Sequence, residues 1–285
     1  MFGSYASIAD VKGVLGISAT TDDTMIRKQV EAASRAIDNY CNRTFVTSTA
    51  TKYFNGANVL WIPDLLSVTT LKTDEDGDGT YENTYQVATE PIDYYLYGVG
   101  LEDTLNTFPK IRIETNPNGD YSGFATGVKK GVQIAGLWGY GDGISATPYI
   151  VDTTLATTIS SASTTSVVVT AVTNLSAGQL ILMNTEQMYI YSISSTTLTV
   201  ERGVNGTTAA TSHTAGVSLY IYQYPSDIRQ ACIDLSVATY QNRSKQGLQS
   251  ERIGDYSYTI AGTSLGKSMV ESVLDSIRSY KRMRF

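Results

Sequence analysis

Asp74, Asp76 and Asp78 alternate ahead of Gly79 in the stretch "TDEDGDGTYE". The spacing matches ligand positions one, three and five of a calcium-binding loop, with the glycine at the sharp turn. Position twelve, where a bidentate glutamate should close the shell, is Tyr85, and the flanks "SVTTLKT" and "TYENTYQ" read as strands rather than helices. Glu82 could add a carboxylate, with backbone or water oxygens completing a weak site. The preferred reading is a solvated hairpin tip in which Asp and Gly supply the turn angles. A structural calcium site stays open as the alternative, because three clustered carboxylates repel one another without a cation.

Other stretches invite chemistry and fall short of it. "GTSLGKS", residues 262–268, ends in the letters of a phosphate loop, but Ala261 stands where its first glycine belongs and no apolar strand precedes it. A helix start capped by Ser264 is the better account. His213 is the only histidine and lies in the polar stretch "NGTTAATSHTAG". Nothing in the spacing selects a nucleophile or an orienting acid for it, so a surface or turn residue is expected. No pair of carboxylates is singled out for glycoside chemistry. Tyr94, Tyr95 and Tyr97 could form a sugar- or protein-binding platform, although strand propensity and core filling explain most tyrosines. These residues single out no catalytic pair and no cofactor site.

Composition narrows the class further. A net charge of −6 argues against sequence-independent nucleic-acid binding, which needs clustered Lys and Arg. Heavy use of Tyr, Thr, Ser and Gly favours strands joined by polar turns. No stretch approaches the length of a membrane span, and "MFGSYASIAD" lacks the pattern of a signal peptide. Cys41 and Cys232 each fall on the apolar side of an expected helix, where free cysteine behaves as a small hydrophobe.

The elements follow from periodicity. Asp22–Arg43 reads as a helix with Ile26, Val30, Ala33, Ile37, Tyr40 and Cys41 on one face and Thr21 or Asp22 as its cap. A shorter helix in "SIADVKGVLGI" turns Ile8, Val11 and Leu15 inward, with Gly13 and Gly16 limiting its length. From Phe45 to about Tyr140 short strands alternate with Gly, Pro, Asn and Asp clusters. Residues 148–222 are nearly uncharged and read as five further strands of a compact module. Pro225 and Ser226 open a helix bearing Ile228, Ala231, Cys232, Leu235 and Ala238, with Gly247 as its stop. After the irregular stretch "LQSERIGDYSYTIAG", a last helix starts near Ser264. The resulting fold class is α+β. The terminal helices form a helical bundle with an antiparallel β-domain between them (residues 1–147), an inserted small β-barrel or sandwich (148–222) and a C-terminal helical part (223–285).

Four stretches together resemble the head-tail connector (adaptor) proteins of long-tailed bacteriophages. They are "SIADVKGVLGI", "DTMIRKQVEAASRAIDNYCNRTF", the strand exit "GLWGYG", and "YPSDIRQACIDLSVATYQNRSKQGLQSERIGDYSYTI". The family passes almost directly from the "GYG" strand to the proline-led helix, whereas here residues 148–222 interrupt that junction. The resemblance implies a structural virion protein assembled as a homo-oligomeric ring of roughly twelve copies around the DNA channel. It would sit between the portal protein and a neck stopper or tail-completion protein, with DNA passing through unbound. It implies localisation to the virion neck after assembly in the host cytoplasm, and no membrane. It also implies a portal-binding C-terminal segment, which would be Tyr280, Lys281, Arg282, Met283, Arg284 and Phe285; the alternative for that segment is a frayed terminus. The competing function is a tail-associated carbohydrate- or surface-binding module built on the Tyr-rich β-regions.

Overall fold

The computed structural model describes residues 2–86, 92–98, 107–121, 123–124, 126–243, 250–253, 256–259 and 263–282. They divide into two units. Arg43–Tyr149 with Asn205–Thr207 make the first, and Phe2–Asn42, Ile150–Val204 and the chain from Thr208 onward make the second.

The first unit is an antiparallel sheet. Its strands are β1 (Ser48–Phe54), β2 (Val59–Thr73), β3 (Asn83–Tyr85), β4 (Tyr94–Gly98), β5 (Lys110–Thr115) and β6 (Val132–Trp138). They run in the order β1-β6-β2-β5-β4, with β3 on β2. Period-two burial puts Leu60, Ile62, Ile113, Ile134 and Trp138 into one core. The stretches "VLWIP" and "SVTTLKT" each read as a strand by themselves, and in the structure they form a single β2. It pairs with β5 mainly through Val59–Trp61 and with β6 from Leu65 to Thr73. Pro63, which has no N–H to give a ladder, falls where the strand exchanges partners.

The "WGYG" exit turns this sheet back onto the segment that follows the long N-terminal helix. Gly139 N–H donates to Asp64 O at 2.8 Å, Tyr140 N–H to Thr44 O at 2.9 Å and Gly141 N–H to Phe45 O at 3.2 Å. Gly139 has φ +139°, and a Cβ there would run into the Val46 carbonyl oxygen. Arg43 lies over the Tyr140 ring, 4.8 Å from its centroid, and beside the buried Asp64 at 3.6 Å.

The second unit holds four helices among the described residues: α1 (Ile8–Leu15), α2 (Asp23–Cys41), α3 (Ser226–Asn242) and α4 (Thr263–Ser276). A capping box between Ser7 and Asp10 starts α1, and Gly16 in the left-handed conformation ends it. Asp22 sits before α2 without making a cap bond. Its carboxylate instead accepts from the Tyr240 hydroxyl of α3. The stripe Ile26, Val30, Ala33, Ile37 and Cys41 is buried as its spacing predicts, and α2 packs on α3, where Cys232 Sγ lies 3.4 Å from Ser34 Oγ. Both cysteines are buried and unbridged.

The expected helix stop at Gly247 lies outside the described residues, and α3 is described through Asn242. Two other expectations for the C-terminal part need correction. The stretch taken as irregular contains a hairpin of β13 (Ser250–Ile253) and β14 (Tyr256–Thr259). Ser264 lies within the first turn of α4, which begins at Thr263.

The inserted segment contributes six strands rather than five, because β7 (Tyr149–Thr154) precedes those read from the sequence. Tyr149–Asp152 lacks the alternation that marks a half-buried strand. The others are β8 (Ser166–Val168), β9 (Leu180–Met183), β10 (Glu186–Ser194), β11 (Thr197–Glu201) and β12 (Ser218–Tyr222). Their order is β7-β12-β9-β10-β11-β8, and a bridge between Leu155 and Val169 closes the sheet into a barrel. Val167, Ile181, Met188, Ile190, Leu198 and Leu219 fill it.

The barrel is fastened to the N-terminal helices of its unit. Ile8 N–H donates to Ala177 O at 3.2 Å, and the Tyr189 hydroxyl donates to Glu31 Oε1 at 2.7 Å. Arg27 lies over the Tyr191 ring, 5.2 Å from its centroid.

Candidate partner-binding surface

The C-terminal segment makes tertiary hydrogen bonds as far as it is described, through Arg282. Ile277, fully buried, fixes the last turn of the chain, and a single 3-10 turn spans Arg278–Tyr280. The Tyr280 hydroxyl donates to Asp227 Oδ1 of α3 at 2.8 Å. Arg282 N–H donates to Cys41 O at 2.8 Å, and Asn42 Nδ2 donates to Arg282 O at 3.2 Å. Those two bonds satisfy groups at the C-terminal end of α2, where helix carbonyls lack partners of their own. Lys281 holds its ammonium 5.1 Å from the Tyr40 ring centroid and is otherwise exposed. Met283, Arg284 and Phe285 lie outside the described residues. The α4 helix, which leads to this segment, exposes Met269 and Val270.

The acidic stretch is the connection between β2 and β3, a hairpin tip as its turn chemistry predicts. Asp74, largely buried, accepts from Gly77 N–H at 2.7 Å through Oδ1 and from Gly79 N–H at 2.9 Å through Oδ2. Asp76 and Asp78 accept from the N–H groups two residues on. Ligand atoms of Asp74, Asp76, Asp78 and Glu82 all lie within 4.8 Å of one another. Tyr85, at the twelfth position, is buried in the sheet core and its hydroxyl donates to Gly123 O at 2.8 Å. No carboxylate therefore closes the loop from that position.

The tyrosines divide between the two faces of the first sheet. Tyr94 is buried and burial pushes its hydroxyl up to about 12, whereas Tyr95 and Tyr97 fall on the opposite face. There Arg112 pairs across the ladder with Trp61 on one side and Tyr97 on the other. Its guanidinium lies 5.7 Å and 4.2 Å from the two ring centroids. In the barrel, Tyr189 is spent on the helices.

His213 is the clearest departure from expectation. It is buried, not a surface residue, with Nε2 at 2.7 Å from Glu186 Oε2 and Nδ1 at 3.2 Å from Asn184 Nδ2. Neither ring nitrogen is set against a serine or cysteine, so the histidine is not arranged to activate a nucleophile. Glu186 lies 27 residues upstream, a separation that no local pattern reveals. A cleft of about 960 Å³ in the second unit is lined by Tyr5, Asp10, Asp152, Tyr224 and Arg229. Its charged groups are spent on neighbours: Arg229 pairs with Asp10 at 2.6 Å, and Asp152 accepts from Asn174 at 2.7 Å.

Comparison with known proteins bears on these surfaces. Residues 5–73 match the model of the family described as phage gp6-like head-tail connector protein. The resemblance to head-tail connectors thus holds over α1, α2, β1 and β2, and the C-terminal motifs lie beyond the matched stretch. No curated protein matches the chain. The match supports a structural connector role in a phage particle, and no helix among the described residues is long and apolar enough to cross a membrane.

Proposed function

We propose that this protein is a ring-forming adaptor at the capsid vertex of a bacteriophage, joining the portal to the tail-side neck proteins around the DNA channel. The observation that carries this reading is the match of residues 5–73 to head-tail connectors. In this proposal Tyr280–Phe285 is the portal-facing segment. Its support is chemical: an anchored stem through Arg282, followed by Arg, Met and Phe, types that serve as interface anchors. A stem fixed to the end of α2 would itself have little entropy left to lose on docking. The helices would pack on neighbouring copies as well as on each other, and the ring's acidic balance would let DNA slide without gripping phosphate.

Mixing the protein with purified portal and measuring particle mass tests the reading. The expected product is a closed ring of roughly twelve adaptors on the portal. A protein that stays monomeric alone and in the presence of portal would overturn it. Removing Tyr280–Phe285 is expected to abolish attachment while the protein still unfolds cooperatively, at a temperature lowered by loss of the bonds to Asp227, Cys41 and Asn42. Attachment at unchanged affinity would dismiss the segment as the contact.

A further inference from the structure

Between β11 and β12 the chain runs from Arg202 to Val217 without a regular element. A connection of that length in a small barrel needs specific tethers to stay ordered. Glu186, the first residue of β10, supplies the side-chain tethers, beside the backbone bonds of Val204 N–H to Gln187 O at 3.0 Å and of the reciprocal Ile159–His213 pair. Its Oε1 accepts from Arg202 Nε at 2.5 Å and from Gly203 N–H at 3.0 Å. Its Oε2 accepts from Arg202 Nη2 at 2.8 Å, Ala210 N–H at 2.9 Å and His213 Nε2 at 2.7 Å. Arg202 extends the network to a second loop, donating through Nη1 to Thr164 O at 3.0 Å and Ser161 O at 3.4 Å. The side chains of Glu186, Arg202 and His213 are 1 %, 4 % and 1 % exposed.

The protonation pattern follows from the partners. An amide nitrogen only donates, so His213 Nδ1 accepts from Asn184 Nδ2 and the ring proton sits on Nε2, facing Glu186. The charged and titratable groups facing Glu186 among the described residues are Arg202, from the end of β11, and His213, from the connection itself. The cluster centres on one buried ion pair, Glu186 with Arg202.

We infer that Glu186 is a proton-sensitive lock: ionised, it holds both ends of the β11–β12 connection against the barrel, and on protonation it releases them while the barrel core stays folded. A neutral carboxyl cannot accept five hydrogen bonds and leaves the Arg202 charge buried without its counter-ion, which is strongly destabilising. The barrel's own core is aliphatic and thioether and carries no group that titrates. Release should therefore stay local.

Burial alone would raise the Glu186 carboxyl, but hydrogen bonds from Arg202, His213 and Ala210 N–H outweigh it and hold the group below the ordinary glutamate value of 4.5. A depressed folded-state value means that the stabilisation is present above the unfolded value and disappears as pH falls through the folded one.

Hydrogen exchange of the full chain, read amide by amide by NMR and corrected for intrinsic rates, tests the lock. On acidification below about pH 4.5, Gly203 and Ala210 are expected to lose protection by roughly tenfold or more while Ile181 and Ile190 keep theirs. Glu186→Gln should produce the same local loss at pH 7. If loop and core amides lose protection together, or if Gly203 and Ala210 stay protected through the acid range, the lock is refuted. Should Glu186→Gln fail to fold, the pH series on the unaltered protein decides alone.

Discussion

Asp38 shows how a single ionisable residue sets a pH dependence within the helical unit. Burial pushes its carboxyl up to about 6, against the pull of Arg35 at 3.2 Å and of the Tyr5 hydroxyl that donates to it. In the window between the unfolded value of 3.8 and about 6, the folded state keeps a proton that the unfolded state has lost. Stability is therefore greatest below that window, falls as pH rises through it, and is flat above. Asp38→Asn is expected to remove this slope and to raise stability at pH 7 by roughly 1–3 kcal/mol, with Tyr5 still able to donate to the amide oxygen. Denaturant titrations at pH 4 and 7 check this; a variant that retains the slope would assign it elsewhere. Asp74 carries the opposite lesson, because its two oxygens hold two amides of the hairpin tip. Asp74→Ala should cost about 1–3 kcal/mol through unsatisfied N–H groups, while the exposed Asp76→Ala should cost under about 0.5 kcal/mol, both read from thermal unfolding.

At the scale of elements, the glycines of "GLWGYG" have a definable task. Gly139 combines a positive φ with contact against the Val46 carbonyl, so any side chain must displace backbone. Gly139→Ala is expected to cost roughly 2–4 kcal/mol, seen as a lower denaturant midpoint with unchanged slope. A neutral effect would mean that the turn can relax without the three bonds to Thr44, Phe45 and Asp64. The barrel's attachment to α2 rests on a similarly small set of groups. Tyr189→Phe removes the donor to Glu31 and should cost about 1 kcal/mol, since Glu31 keeps its 2.7 Å pairing with Arg27. Hydrogen exchange in α2 checks the attachment: protection near Glu31 should fall, and an unchanged pattern would show that the apolar contacts suffice.

For the whole molecule, charge and assembly are linked. A net charge of −6 is expected to leave random-sequence duplex DNA unbound at about 150 mM salt, as the proposed adaptor ring would require. Fluorescence anisotropy measures this directly, and salt-sensitive binding would assign the protein a grip on DNA rather than a conduit for it. The inserted barrel falls in the same compact unit as the terminal helices.

Much of this was legible in the chain. The stripes of α2 and α3, the glycine stop of α1 at Gly16, the strand periods and the hairpin at Asp74–Gly79 are local patterns, set by residues a few positions apart. The likeness to head-tail connectors was legible too, because helix faces and turn glycines recur as short motifs. Tertiary structure alone decided the rest. It joined two apparent strands into β2 by letting Pro63 fall at a change of partner, and it closed the insertion into a barrel through Leu155 and Val169. It also took His213, read as a surface residue, and buried it against Glu186 and Asn184. The physical reason is common to all three: each depends on which distant backbone or charge supplies a missing partner, and that choice is made only when strands remote in sequence come together.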